Sequence, residues 1–244
     1  MIHMLKAYFS YLYRNTVKDY GSTFYSLFKH NKNAKLLDCG CWDGNNTKKY
    51  GKTIGTNFLY GLEINKQKAK EASQKGIKVK TSNLNQKFPY KDNFFDVIIA
   101  NHVIEHLIDV RLYVSEMYRV LKKGGYIILG TPNLASWHNI FALLLGLQPF
   151  SGPTIKPDYE SDVKLIRNMN KQRLDKVFSG NKTRGLDHIK IMTAKALISL
   201  LNDFDFKIEK IKGFGYYPLP PIIAKHLSNI DPYRSHYIIV KARK

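Results

Sequence analysis

A chain of 244 residues is long enough for one large domain or for a domain with a sizeable insertion. Its hydrophobic content of 44% and charged content of 24% are ordinary for a globular protein and exclude a disordered chain. The net charge of +20 is typical of proteins with an anionic partner, but the basic residues spread from Lys6 to Lys244, and we interpret most of them as solvated surface.

The N-terminal segment, residues 1–33, is predicted to be helical. It begins "MIHMLKAYFSYLYRN", which lacks the uninterrupted apolar core and the small-residue cleavage site of a signal peptide. The longest apolar stretch of the chain, "IFALLLGL", is far shorter than the roughly 20 residues that a membrane span needs. The sequence therefore predicts a soluble, cytoplasmic protein.

Apolar runs alternate with helical patterns from residue 34 to residue 133, which predicts βαβ units and a parallel sheet. A polar helix, "KQKAKEASQKG", follows the second predicted strand and ends at Gly76. A second helix, "DVRLYVSEMYRVLKKGG", follows the fourth strand and is predicted to end at its glycine pair. The five strands are, in chain order, "AKLLDCG", "NFLYGLEI", "IKVKTS", "FFDVIIAN" and "YIILGTPN".

The pattern changes over residues 134–190, where an apolar helical piece is followed by turn residues and a charged stretch. This segment lacks a core of its own, so we interpret it as an acceptor-binding or lid insertion rather than a separate domain. After it, "TAKALISLLNDF" predicts an amphipathic helix with Thr193 as its N-cap. Two further strands, "FKIEKIKG" and "HYIIVKARK", complete the chain.

Ligands of an open parallel sheet bind beyond the carboxyl ends of the strands, so the residues at these ends are the candidate site. After the first strand, Gly40 permits close approach of a ligand to the backbone, and Gly44 permits a turn into a helix whose free N–H groups favour an anion. Cys39 and Cys41 are the only cysteines and are too close in sequence for a structural disulfide. A thiolate metal site needs four ligands and is disfavoured, and no metal is predicted.

The later strands end in further polar residues. Glu63 follows the second strand, where an acidic side chain can accept hydrogen bonds from ribose hydroxyls. Asn83 and Leu84 follow the third strand and are suited to the edge and the face of an adenine ring. The residues after the fourth strand are Asn101, His102, Glu105 and His106.

This ordered set resembles the class I S-adenosylmethionine-dependent methyltransferases, in particular their small-molecule, type 11 and type 23 branch. "LLDCGCWDG" is similar to the family's first motif, "LYGLEI" to its second, and "FFDVIIANHVIEHL" to its fourth-strand signature. The resemblance is strong over residues 34–133 and weaker over 186–241. It implies an α/β fold in a single domain spanning 1–244: a Rossmann-like, mostly parallel sheet of seven strands, with helices on both faces and an insertion after the fifth strand.

The resemblance implies S-adenosylmethionine as the cofactor. The cofactor-binding residues that it implies are Asp38, Gly40, Cys41, Gly44, Glu63, Ile64, Asn83, Leu84, Asn101 and His102. Methylation of a hydroxyl would also use a base, and His106 and His188 are the candidates. The chain differs from the family at two positions: Trp42 replaces the central glycine of the first motif, and Asn83 replaces the acidic residue of the adenine loop.

We expect a methyltransferase acting on oxygen or nitrogen of a small-molecule or glycan- or lipid-linked acceptor. Three alternatives stay open: an RNA methyltransferase, which only the charge favours; an inactive cofactor-binding scaffold, which Trp42 and Asn83 favour; and a peripheral membrane contact through "LASWHNIFALLLGLQPF". A nicotinamide dehydrogenase is disfavoured because the Gly-x-Gly-x-x-Gly pattern is absent. The sequence leaves the oligomeric state open.

Overall fold

The computed structural model describes residues 2–153 and 188–244. The strands of this part of the chain are β1 (Leu36–Cys39), β2 (Leu59–Glu63), β3 (Lys78–Thr81), β4 (Phe95–Asn101), β5 (Leu121–Pro132), β6 (Lys207–Phe214) and β7 (Tyr237–Arg243). The α-helices are α1 (Ile2–Ser26), α2 (Asn45–Ile54), α3 (Lys66–Gln74), α4 (Val110–Val120), α5 (Trp137–Leu144), α6 (Ala194–Asn202) and α7 (Pro221–Ile230). Short 3₁₀ helices cover Ile104–His106 and Pro232–Arg234.

The seven strands form one sheet in the order β3-β2-β1-β4-β5-β7-β6. Neighbours from β3 to β5 pair in parallel, and β7 pairs antiparallel with both β5 and β6. The predicted α/β fold with a mostly parallel, seven-stranded sheet is therefore confirmed. Strand order reverses beside β1, between β2 and β4, and at such a point the carboxyl ends of the strands leave a crevice for a ligand.

Each face of the sheet has its own core because neighbouring residues of a strand point to opposite faces. Leu37, Ile98 and Ile127 belong to one core, which α4 and α6 cover with residues such as Met117 and Leu197.

The residues next to these in sequence, Leu36, Ile99 and Ile128, belong to the opposite core together with Phe24 of α1 and Ile54 of α2. Side chains of this kind stabilise the fold by roughly 1.5–3 kcal/mol each when fully buried.

The helix after β4 ends earlier than its sequence predicts. We expected it to continue to the Gly124–Gly125 pair, but α4 ends at Val120 and β5 begins at Leu121, whose register partner is Phe95. The ammonium group of Lys244 donates hydrogen bonds to the carbonyls of Tyr118 (2.7 Å) and Leu121 (2.8 Å). The last turn of the helix is thus closed by the chain's C-terminal residue, which local sequence does not reveal.

The remaining predicted elements agree with the structure within a few residues. Thr193 is the N-cap of α6, and its hydroxyl accepts a hydrogen bond from Ala196 N (3.1 Å). Of the predicted insertion over 134–190, the structure describes residues 134–153, which include α5, and residues 188–190, whereas residues 154–187 lie outside the described residues. Within the described ranges, no helix is long and apolar enough to cross a membrane.

Candidate active site

The loop after β1 is built on three left-handed residues. Gly40, Trp42 and Gly44 have φ values of +73°, +47° and +79°. A Cβ atom on Gly44 would lie 2.9 Å from the Cβ of Ala72 on α3, so only glycine fits there. A Cβ atom on Gly40 would lie 3.0 Å from the side chain of Val103, so a side chain at residue 40 would fill the narrow space between this loop and the segment after β4.

Asp38 is a buried carboxylate in β1, 4% exposed. Its Oδ2 atom accepts a hydrogen bond from the hydroxyl of Thr47 in the first turn of α2. Burial raises the pKa of Asp38 to about 7; the Thr47 hydrogen bond lowers the pKa, and the charge of Glu63 adds to the rise. A carboxylate in this position favours a cationic ligand, because a neighbouring positive charge would relieve the cost of its ionisation.

Glu63 ends β2 and ties the first loop to the second. Its Oε2 atom accepts a hydrogen bond from Trp42 N (2.9 Å), and its Oε1 atom accepts one from Asn65 N (2.8 Å). Burial raises the pKa of this carboxyl, although backbone N–H groups, including that of Ile64, oppose the rise. A carboxylate oxygen can accept more than one hydrogen bond, so Glu63 keeps acceptor capacity for a diol.

Trp42 contributes to the loop through its backbone. The N–H group of Trp42 binds Glu63, while its indole is 44% exposed and lies 5.4 Å from the Nζ atom of Lys68 on α3. Trp42 therefore adopts a left-handed backbone and supplies an N–H donor at the position where the sequence resemblance implies a glycine. The thiol of Cys41 is buried against Gly61 of β2, and its backbone N–H donates to the carbonyl of Leu62 (3.2 Å).

The loop after β3 is held by two asparagines. The Oδ1 atom of Asn83 accepts a hydrogen bond from Asn85 N (2.9 Å), and the Oδ1 atom of Asn85 accepts hydrogen bonds from Ile108 N (2.8 Å) and Asp109 N (3.0 Å). Leu84, between them, is buried in the core beneath the loop. Asn83 and Leu84 thus lie in an ordered loop that is joined to the segment after β4.

These residues fit the S-adenosylmethionine that the sequence resemblance implies. Asp38 offers a buried anion for an ammonium or sulfonium group, and Glu63 offers acceptor oxygens for a ribose diol. Gly40 leaves a narrow space that a side chain would fill. The residues that would hold the cofactor are therefore Asp38, the backbone of residues 40–44, Glu63, and the loop at Asn83 and Leu84.

An aromatic pocket of about 310 Å³ lies between α1 and the carboxyl ends of the central strands. Its lining residues are Tyr13, Val17, Tyr20, Gly21, Phe24, Tyr25, Asn46, Tyr50, Asn101, His102 and Tyr237. Asn101 and His102, expected near the cofactor or the acceptor, are thus brought together here. Sequence reasoning missed the tyrosines, because α1 reaches the site only through the tertiary fold.

Tyr20 attaches α1 to the carboxyl ends of the central strands. Its hydroxyl donates a hydrogen bond to the Oδ1 atom of Asn101, the last residue of β4. The ring lies over Gly130 of β5, where a Cβ atom would come within 3.1 Å of the ring's Cζ atom. Burial raises the pKa of the Tyr20 hydroxyl well above its usual range, so the group stays a neutral hydrogen-bond donor.

His102 and Glu105 form a dyad beside this pocket. The Nδ1 atom of His102 lies 3.1 Å from the Oε1 atom of Glu105, and Thr131 donates a hydrogen bond to the Oε2 atom of Glu105 (3.0 Å). Glu105 is fully buried. Burial raises its pKa, but the hydrogen bond and charge of His102, with the charge of His106, outweigh burial, so the pKa of Glu105 is lowered and the group is a carboxylate.

His106 and His188, the two predicted bases, lie together, and neither is among the residues that line the aromatic pocket. Their ring centroids are 5.1 Å apart, and the Nδ1 atom of His188 lies 2.7 Å from the carbonyl oxygen of Ser151. With Glu105 they place one oxygen and two nitrogen atoms within 4.8 Å of one another. Because Glu105 is already engaged with His102 and Thr131, we interpret this group as a cluster of polar side chains, and the expectation of no metal stays a prediction.

Known proteins resemble this chain in sequence. A family model described as "Methyltransferase domain" matches residues 12–211. An uncharacterised protein of Methanocaldococcus jannaschii is 33% identical over 111 residues, which cover 46% of this chain and 51% of that protein. The ubiquinone biosynthesis O-methyltransferase of Pelagibacter ubique is 24% identical over 179 residues, covering 68% of this chain and 72% of that protein. The chain spans about half the length of the first curated relatives that it matches.

Solved structures resemble the chain in fold. A structure of an S-adenosylmethionine-dependent methyltransferase from Mesorhizobium loti has a TM-score of 0.60 at 15% identity, covering 91% of this chain and 96% of that one. At this identity the likeness concerns the fold.

Proposed function

The chain belongs to the methyltransferase-domain family, whose cofactor is S-adenosylmethionine, and on that premise we propose that it methylates a hydroxyl group on an aromatic small molecule or lipid-linked aromatic. The observation that carries the proposal is the aromatic pocket, which lies where α1, α2 and the end of β4 meet. Planar rings pack favourably against aromatic side chains, so the lining favours a flat acceptor. The similarity to a ubiquinone O-methyltransferase supports an acceptor of this class.

The chain's own residues supply binding and orientation. When bound, the cofactor supplies an electrophilic methyl group on a cationic sulfur. Asp38 binds the ammonium group and Glu63 the ribose diol, while Asn83 and Leu84 hold the adenine. The tyrosine rings of the pocket exclude water and stabilise nearby positive charge through their faces. Such positioning of two reactants contributes a large part of the acceleration of a displacement reaction.

A direct test incubates the purified protein with S-adenosylmethionine and a panel of catechols and hydroquinones, beginning with 4-nitrocatechol. We expect one methylated product for each S-adenosylhomocysteine released. The Asp38→Asn variant, which removes the anion proposed for the ammonium group, is expected to lose at least tenfold in cofactor affinity. Cofactor binding without methyl transfer to any member of the panel would overturn the aromatic-acceptor proposal.

The same assay separates the alternatives. Methyl transfer to transcribed RNA, and to none of the phenols, would favour the RNA methyltransferase, which rests on the net charge of +20 alone. Absence of S-adenosylhomocysteine binding in calorimetry would favour the inactive scaffold. We also propose a cytoplasmic location, supported by the two free, buried cysteines.

A further inference from the structure

The imidazole of His102 is held at the wall of the aromatic pocket by a strained backbone. Its φ value of +54° lies in the left-handed region, which costs a non-glycine residue roughly 1 kcal/mol or more. The strained conformation is retained by two contacts: His102 N donates to the carbonyl of Gly130 (2.8 Å), and the ring binds Glu105. Strain of this kind persists where the surrounding structure fixes a side chain for a task.

Two tyrosine rings lie next to the imidazole of His102. The ring centroid of His102 lies 5.6 Å from that of Tyr20 and 5.1 Å from that of Tyr237, both of which also line the pocket. The side chain of His102 is 36% exposed, whereas that of Glu105 is fully buried. One edge of the imidazole therefore faces a buried carboxylate, and the rest of the ring borders the pocket.

The hydrogen bonds decide the tautomer of His102. Glu105 is a carboxylate and can only accept, so the Nδ1 atom of His102 carries the proton and donates it to Oε1. The second oxygen of Glu105 is engaged by the hydroxyl of Thr131, which keeps the carboxylate in one orientation. In this tautomer the Nε2 atom is the one that carries the lone pair that proton abstraction requires.

We propose that His102 is the catalytic base of this site, with Glu105 as its positioning residue; the inference rests on the proposed aromatic O-methylation. The Nε2 atom takes the proton of the acceptor hydroxyl as its oxygen forms a bond to the methyl carbon. The carbon–sulfur bond breaks, and its electron pair stays on sulfur as a neutral thioether. The imidazolium that results is stabilised by Glu105 until the proton passes to water.

This assignment replaces His106 and His188 as the proposed bases. Both belong to the cluster around Glu105, and neither is among the residues that line the pocket. Their contacts to one another and to Ser151 suit a structural role at the junction with the insertion.

The test uses the full chain, unsubstituted catechol as acceptor, whose hydroxyl keeps its proton near neutral pH, and His102→Gln, with the exposed His226→Gln as matched control. We expect His102→Gln to bind S-adenosylhomocysteine within about threefold of the wild-type Kd and to keep a similar KM. Its kcat is expected to fall about 10²- to 10⁴-fold, the usual contribution of a positioned base, and the acidic limb of its pH–rate profile to disappear. His226→Gln is expected to behave like the wild type.

Two further variants distinguish a catalytic role of His102 from a structural one. His102→Gly tolerates the left-handed backbone, and added imidazole is expected to restore part of its activity. Glu105→Gln is expected to lower kcat less than His102→Gln and to move the acidic limb to lower pH, because a neutral amide stabilises the imidazolium less.

The possible results distinguish failure of His102 as the base from failure of the proposed function. If the wild type methylates the acceptor and His102→Gln keeps a kcat within threefold of the wild-type value, His102 is not the base. The proposed function would still stand. A wild type that binds the phenols of the panel but methylates none of them would overturn the proposed function and the base with it. A wild type that neither binds nor methylates any phenol would overturn both.

Discussion

Asp38, a proposed binding residue, lowers the free energy of unfolding of the protein when no ligand is bound. Its carboxyl is buried, and its pKa is raised from an unfolded value near 3.8 to about 7. Between these two pH values the folded chain retains a proton that the unfolded chain has lost, so the free energy of unfolding decreases as pH rises. Each pKa unit of such a shift corresponds to about 1.4 kcal/mol.

We therefore expect Asp38→Asn to stabilise the protein in the absence of cofactor. The gain should grow from pH 5 to pH 8, and each kcal/mol should raise Tm by about 2–4 °C for a domain of this size. Scanning calorimetry at the two pH values measures it. Asp43→Asn, in the same loop, is the control: hydrogen bonding to Asn45 N lowers the pKa of Asp43, so this change should bring no gain. A lower Tm for Asp38→Asn than for the wild type at pH 8 would contradict the expectation.

At the residue scale, the sequence predicted the chemical groups of the candidate site more fully than the role of each group. The motif predicted Asp38, Gly40, Gly44 and Glu63 as neighbours, and parallel pairing of β1 with β2 brings them together. The conformation of Trp42 was beyond prediction, because no sequence pattern reports that a tryptophan adopts φ +47° with its indole turned toward α3. The use of each residue in binding stays a prediction until a ligand is measured.

At the scale of elements, α5 is attached to the sheet by a histidine pair. The Nε2 atom of His138, in the first turn of α5, lies 3.0 Å from the Nδ1 atom of His236, which precedes β7. Burial lowers the pKa of His138 to about 4 and that of His236 to about 3, the latter also through the charge of His138. Both rings are therefore neutral in the folded protein near neutral pH.

This pair predicts a loss of stability in acid. Below an unfolded pKa near 6.5 the unfolded chain takes up protons that the folded chain excludes, so the free energy of unfolding decreases as pH falls from 6.5 toward 4. Removing one ring by His138→Leu should reduce this dependence by up to about 1.4 kcal/mol for each pH unit. Urea denaturation at pH 7, 5.5 and 4.5 measures the slope.

The control for this prediction is His226→Leu, because His226 is exposed on α7. Its pH slope should equal that of the wild type. An unchanged slope in His138→Leu as well would show that the pair does not govern the acid response.

The limits of prediction at this scale have physical causes. The local glycines placed the end of α4 too late in the chain, and the carbonyls at its observed end accept hydrogen bonds from Lys244, more than a hundred residues away. We did not predict α7, although Pro221 at its first turn is a known start signal for a helix. The central strands β1, β2 and β4 were predicted within a few residues, since their buried apolar runs reflect burial on both faces of a parallel sheet.

For the whole molecule, the apolar surface and the charge suggest a place of action. Several large apolar side chains of α5 and α7 are exposed within the described residues, among them Phe141 (62%), Leu144 (79%) and Ile222 (86%). The net charge of +20 favours anionic surfaces. The sequence expectation of a peripheral membrane contact therefore stays a prediction, and it would bring a lipid-linked acceptor to the site.

We expect the protein to sediment with vesicles that contain phosphatidylglycerol and to remain in solution with pure phosphatidylcholine. Added salt should weaken the binding, because screening reduces the attraction. Phe141→Glu with Leu144→Glu should reduce the bound fraction several-fold, whereas Phe58→Glu, an exposed apolar residue at the start of β2, should leave it unchanged. Equal sedimentation of the double variant and the wild type would show that α5 does not contact the lipid.

The two tryptophans have a practical consequence for every one of these measurements. Trp42 stands in the loop that binds Glu63, and Trp137 stands half exposed at the start of α5. The chain has no other tryptophan, so its intrinsic fluorescence divides between two known places. The tryptophan fluorescence of a Trp137→Phe variant would come from the loop after β1 alone, and that of a Trp42→Phe variant from α5 alone. The protein thus carries a built-in optical reporter for each of the two surfaces at which a cofactor and a lipid would arrive.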